Sequence, residues 1–160
     1  TFRYCKDMNI ALNPSELVNS PHPEPYLETV VSKQELQQFI NKTIEQSKQP
    51  IVIFGANWCP DARLLEGVLQ LPSVKSFIAK YANILHIDVG EYERNTDLFS
   101  FFDSVIKDGI PRVFVMDLSG QLLNLETNDV MRKARELSTQ EIFDYFQKFI
   151  DSNKTNSGNA

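Results

Sequence analysis

Cys59 stands where an apolar run has just ended and a proline begins. It follows Ile51-Val52-Ile53-Phe54 and then Gly55-Ala56-Asn57-Trp58, and it precedes Pro60-Asp61. The run reads as a strand buried on both faces, and Pro60 suits a first helical turn because its missing N–H is not needed there. A thiol at such a turn lies among unpaired N–H groups at the positive end of a helix dipole, which favour its ionised, nucleophilic form. The chemistry available is attack by sulfur on a disulfide. Redox proteins with a thiol here usually carry a second one after two intervening residues. That place is Ala62, which is either natural or a replaced Cys. Cys59 alone performs only the first half of an exchange, so glutathione or a protein thiol must resolve the mixed disulfide. Ala62 also offers no S–H hydrogen bond to a thiolate.

Plainer readings stand beside these. Cys59 can be a small apolar residue left in a degenerate site, and Trp58 a core aromatic. Asp61 and Arg63 read as solvated charges at a helix start with no catalytic role, and His86 as a packed strand histidine. Cys5 could resolve Cys59 only if the N-terminal arm folds over the site. Met131-Arg132-Lys133-Ala134-Arg135 is a basic patch best read as a solvated turn or short helix. Cys5, Cys59, His22 and His86 are too few and too scattered for a zinc site, so no metal is expected. No Gly-rich phosphate loop occurs, and no cofactor is expected.

The elements around the thiol follow from pattern. Ser32 with Glu35 forms a capping box, and Leu36, Phe39, Ile40 and Ile44 continue it as an amphipathic helix that Pro50 stops. A second helix runs from Pro60 to Leu71; Pro72 interrupts it, and Ser73 to Tyr81 resumes at an angle. Ile84 to Val89 is the second strand. Asn95 or Thr96 caps a third helix with Leu98, Phe101, Phe102 and Val105, ending near Gly109. Val113 to Met116 is a third strand, and Leu122 to Leu125 pairs back on it as a hairpin. Ser138 and Glu141 open a last helix whose Ile142, Phe143, Phe146, Phe149 and Ile150 face inward. This order predicts an α/β domain with a mixed central sheet flanked by helices.

The chain has 160 residues, is 42% hydrophobic and 23% charged, and carries a net charge of −5. That suits one soluble domain and argues against nucleic acid or an anionic membrane as partner. No apolar run is long enough to insert into a membrane. Residues 1–29, with alternate prolines at Pro21, Pro23 and Pro25, read as an extended arm; 30–151 as the domain; 152–160 as a flexible tail. Thr1 opens no charged-then-apolar leader, so no signal peptide is expected within the chain. The sequence leaves the oligomeric state open.

The element order, with Trp58-Cys59-Pro60-Asp61 after the first core strand and Gly109-Ile110-Pro111 before the hairpin, resembles the thioredoxin fold over Val31 to Ile150. Gly55 to Asp61, with Asp88-Val89-Gly90 and Glu93-Arg94-Asn95, resembles a bacterial subgroup of thioredoxin-like proteins, many of them exported, so a periplasmic or exported location is expected. The resemblance implies that Cys59 is the attacking thiolate and that Trp58 shields it. It further implies that Pro60 belongs to the substrate site, and that Pro111 is a cis proline against Cys59, with Ile110 offering backbone groups to a substrate. Protein or small-molecule thiols and disulfides are the partners it implies. Three departures stand out: Ala62 replaces the resolving Cys, Ile53 stands where thioredoxins proper bury a carboxylate, and the arm before Glu28 lies outside the resemblance. Ala56 lacks the hydroxyl of the thiol-peroxidase pattern. A redox-silent thioredoxin-fold binding module for a peptide or protein is the alternative function.

Overall fold

The computed structural model describes residues 10–18, 22–103 and 109–150; Cys5, Val105 and the 152–160 tail lie outside them. The first helix, α1 (Lys33–Glu45), starts on the expected capping box between Ser32 and Glu35. Its end differs from expectation. Ser47 takes a left-handed φ of 60°. The Ser47 and Lys48 amides donate back to the Ile44 and Thr43 carbonyls at 2.8 and 3.1 Å. This closing motif ends the helix before Pro50 is reached, and Pro50 instead lies inside strand β1 (Gln49–Gly55).

Helix α2 (Pro60–Leu69) follows β1, and α3 (Pro72–Tyr81) follows α2. Leu71 is extended at φ −63° and ψ 139°, so Pro72 begins a separate helix. Strand β2 is Ala82–Asp88 and β3 is Arg112–Val115. β1 is central, parallel to β2 and antiparallel to β3, with Phe54 opposite both Ile87 and Arg112. Side chains of β1 alternate between two cores. Ile51 and Ile53 pack with Leu65, Val74, Phe143 and Phe146. Val52 and Phe54 pack with Leu36, Ile40, Ile87, Phe114, Cys59 and Ala62. Each fully buried aliphatic or aromatic side chain of this kind contributes about 1.5–3 kcal/mol. The last helix, α5 (Thr139–Phe149), begins on the second capping box, Ser138 with Glu141.

Two expected elements are altered. The long third helix is, as far as the described residues reach, a 3-10 turn (Thr96–Leu98) and a short α4 (Phe99–Phe102). Asn95 does not cap it by its side chain. It sits at φ 58°, and its amide accepts from Val31 N (2.8 Å) and donates to Thr29 O (2.9 Å) and Asp88 O (2.8 Å). The hairpin strand 122–125 is reduced to one bridge, Met116 with Leu122. Beyond it the Asn124 amide takes the place of a strand backbone, accepting from Val115 N at 2.9 Å and donating to Val113 O at 2.7 Å. A side chain that satisfies both ladder groups removes the need for a paired strand.

The described parts of the arm are bound to the domain. Ile10 N donates to Gln147 and Leu12 N to Gln140, both on α5 and both at 2.7 Å. Leu71 offers α3 no side-chain cap. The Glu16 carboxylate supplies one from the arm, accepting from the Ser73 amide and hydroxyl, each at 2.8 Å. Those bonds hold the Glu16 carboxyl below its ordinary value.

Candidate active site

The β1–α2 turn presents Cys59 as the N-cap residue of α2, extended at φ −88° and ψ 116°, with Pro60 exposed at the first helical position. Cys59 N donates to Ala56 O (3.1 Å), and Arg63 N donates to Cys59 O (3.0 Å), which fixes the turn on both sides. Cys59 is 6% exposed. Its Sγ lies 3.7 Å from the carbonyl of Ile110, and the Ile110–Pro111 peptide bond is cis. The sheet explains this meeting. β3 runs back along β1 with Arg112 opposite Phe54, so the residues just before β3 arrive beside the turn that leaves β1. Ile110 and Pro111 are buried there.

Trp58 is 53% exposed, so it is not a core aromatic. Its indole N–H donates to Gly90 O at 2.6 Å, and its ring meets Tyr92 edge-on at 6.0 Å. The loop after β2 that holds it is organised by Asp88, which accepts from Gly90 N at 2.7 Å and pairs with Arg94 at 3.3 Å. Gly90, Tyr92 and Asn95 all have left-handed φ. The Asp88-Val89-Gly90 and Glu93-Arg94-Asn95 segments therefore build the support of Trp58.

Ala62 is fully buried in the same core cluster as Cys59. Ile53 belongs to the cluster on the opposite face of the sheet. Asp61 and Arg63 are not solvated charges. Asp61 is 9% exposed, and its Oδ1 accepts from Arg135 N (2.9 Å) and Nε (3.2 Å). Arg63 donates to His22 O at 2.6 Å and pairs with Glu24 at 3.4 Å, so it grips the arm. His86 is packed on its strand, with Nε2 2.6 Å from Glu66 Oε1 and the Tyr26 ring edge-on at 5.5 Å.

Sequence reasoning missed several contributors. Tyr26, from the arm, is buried over Gly55, where a Cβ would collide with its phenol oxygen. Burial, first, and then the nearby Glu66, Cys59 and Asp88 push the Tyr26 phenol well above its ordinary value. Arg112 is 1% exposed, stacked between Phe99 and Phe114 at 5.2 and 5.4 Å. It donates to Asn128 Oδ1 at 2.7 Å and pairs with Asp103 at 3.4 Å. Burial lowers its guanidinium from the ordinary value, an effect that Asp103 partly offsets. The Met131–Arg135 patch is part of a 3-10 helix (Val130–Glu136) kinked at Lys133, with Met131 and Ala134 buried. Arg132 and Lys133 join Trp58, Cys59, Tyr92 and Ile110 in lining a pocket of about 450 Å³, into which Gly109 and Asp129 also face. The expected solvated short helix is what the structure shows, with Arg132, Lys133 and Arg135 exposed; what the sequence did not reveal is that the first two also border the thiol pocket. Among the described residues, no group of three potential metal ligands is found.

A model of the thioredoxin family matches residues 11–136, which takes in the arm from residue 11 onward. A disulphide isomerase from Xylella fastidiosa Temecula1 is 32% identical, with a TM-score of 0.70 over 79% of this chain and 96% of that one. A Pseudomonas aeruginosa protein of unknown function overlaps more loosely, at 13% identity and a TM-score of 0.42 over 81% and 76% of the two chains. Comparison with curated proteins found no match.

Proposed function

This chain belongs to the thioredoxin family, and we propose that it is a thiol–disulfide exchange protein in which Cys59 is the attacking sulfur. The observation that carries this is the place of Cys59 Sγ, at the start of α2, 3.7 Å from Ile110 O, on the wall of the pocket. The similar Xylella protein is a disulphide isomerase, which supports the same class of chemistry here. In the proposed step the Cys59 thiolate attacks one sulfur of a substrate disulfide. A Cys59–substrate S–S bond forms, the substrate S–S bond breaks, and the second substrate sulfur leaves as a thiolate. Ile110 and Pro111 lie along the substrate, Pro60 borders it and Trp58 covers the sulfur. With Ala62 in the second position, release falls to an external thiol. Intact-mass analysis tests this: a disulfide-bearing peptide should add one thiol to the chain at Cys59. No adduct at Cys59 while Cys5 reacts would reject the reading.

A second reading is a redox-silent binding module for a peptide or protein. The exposed aromatic pair Trp58 and Tyr92 favours it, as does the absence of a thiol at position 62. Peptide binding that survives Cys59→Ser unchanged, with no mixed disulfide trapped from cells, would decide for the module.

We further propose a bacterial envelope location, supported by the likeness of 55–61, 88–90 and 93–95 to a subgroup with many exported members. Fractionation of cells expressing the full-length protein checks it.

A further inference from the structure

We propose that the Cys59 pocket selects a small thiol or disulfide that carries carboxylate groups, with Arg132 and Lys133 as the residues that choose it. This rests on the exchange chemistry proposed above and names its co-reactant.

The electrostatics of the pocket point this way. The protein as a whole carries −5, yet among the described residues the charged side chains lining this pocket are Arg132 and Lys133 against Asp129. Arg132 pairs with Asp129 at 3.6 Å, and Lys133 makes no ion pair among the described residues. Arg132 also lies close to the thiol-side backbone. Gly109 has φ +106°, and any Cβ there would run into the Arg132 guanidinium, so the guanidinium lies directly over the backbone that leads to Ile110. Asp61, the carboxylate nearest the thiol in sequence, is taken up by Arg135 and does not offset these cations. A volume of about 450 Å³ lies within the range of small-ligand sites, about 300–1,000 Å³. A ligand whose sulfur meets Cys59 Sγ and whose carboxylate meets Arg132 or Lys133 would stack its apolar part on Trp58 and Tyr92.

The same pocket serves both directions. Cys59 thiolate attacks the small disulfide, giving a Cys59 mixed disulfide and releasing one small thiolate. In reverse, a small thiolate attacks the outer sulfur of a Cys59 mixed disulfide; the new S–S bond joins the two outer groups, and the electron pair of the old bond leaves with Cys59 sulfur.

The test uses the full chain with Cys5→Ser. Oxidised glutathione, which carries carboxylates, and uncharged 2-hydroxyethyl disulfide are compared for the rate of adduct formation at Cys59 by intact-mass analysis. The ratio of the two rates is referred to the ratio shown by free 2-mercaptoethanol. The expected ratio exceeds the free-solution one by about tenfold, the worth of one charge-assisted contact. It should collapse toward the reference in Lys133→Glu, in Arg132→Glu, and in wild type at high salt. If both disulfides react in the free-solution ratio, unaffected by Lys133→Glu or salt, the anion preference is overturned while the exchange reading stands. If an acidic peptide disulfide outpaces oxidised glutathione by a similar factor, the small-ligand assignment is overturned. If neither disulfide reacts, both this inference and the exchange reading fall.

Discussion

Asn57 clamps the backbone of Tyr26 from both sides: its Oδ1 accepts from Tyr26 N at 3.0 Å and its Nδ2 donates to Tyr26 O at 2.8 Å. One amide thus ties the arm to the turn that carries Trp58 and Cys59. With Arg63 holding His22 and Glu24, the arm is secured on the same short stretch that presents the thiol. Asn57→Ala should cost about 1–3 kcal/mol, since it leaves two backbone groups without partners. Hydrogen exchange at residues 22–30 should accelerate more than at β1. Denaturant unfolding and exchange mass spectrometry check this; uniform acceleration across the chain would show that the clamp is not local.

Tyr26 makes the arm sensitive to alkaline pH. Its phenol is raised well above the ordinary value, chiefly by burial. In the unfolded chain it ionises near pH 10. Stability from keeping it neutral is therefore complete below about pH 10. Above that pH the unfolded state loses its proton while the folded state keeps it, so stability falls as pH rises toward the folded value, by up to about 1.4 kcal/mol per pH unit. Tyr26→Phe should flatten that part of the curve while leaving the curve below pH 9 nearly parallel to wild type. Equal alkaline slopes for the two proteins would refute the assignment.

Periodicity and capping chemistry made the frame legible. Ser32/Glu35 and Ser138/Glu141 marked both capped helices, and Ile51 to Phe54 marked the central strand, because these signals are local and repeat within a few residues. Trp58-Cys59-Pro60 marked the candidate site for the same reason. What escaped was carried by single side chains acting over long sequence distances. Asn124 replaces a strand by its amide, Asn95 forsakes a helix start to hold Thr29 and Val31, and Glu16 caps α3 from 57 residues away. Asp61 and Arg63 read as solvated because their partners, Arg135 and the arm backbone, are remote in sequence. No pattern in the residues around them announces such pairings.

Arg112 follows Pro111 directly and is almost wholly buried, so its partners set the approach of β3 to the thiol. Removing it by Arg112→Met takes the buried Arg112 guanidinium away from the Asp103 carboxylate, itself 7% exposed. Breaking a buried pair from one side costs about 3–5 kcal/mol. Asp103→Asn in the same chain should recover part of that loss, because no uncompensated charge remains. A double-mutant cycle in urea measures it. Additive losses would mean that Arg112 acts independently of Asp103, through contacts such as Asn128 and the Phe99 and Phe114 rings.

Position 62 is the one with the clearest consequence for chemistry. It stands three residues after Cys59 at the start of α2 and in the same buried cluster. Side chains at this spacing on a helix approach within about 5–6 Å at Cβ, close to disulfide range. Ala62→Cys should therefore supply a resolving thiol. Once a substrate is attached to Cys59, the thiol at 62 attacks from within the molecule, at an effective concentration of millimolar or more. The mixed disulfide should then disappear at least tenfold faster than in wild type when no external thiol is present, and catalytic turnover of a protein disulfide should rise with it. The added sulfur enters filled space, at a cost of about 1–3 kcal/mol in stability. Quenched-flow trapping with mass analysis follows the adduct. Wild-type turnover already equal to that of Ala62→Cys would disprove the need for an external thiol.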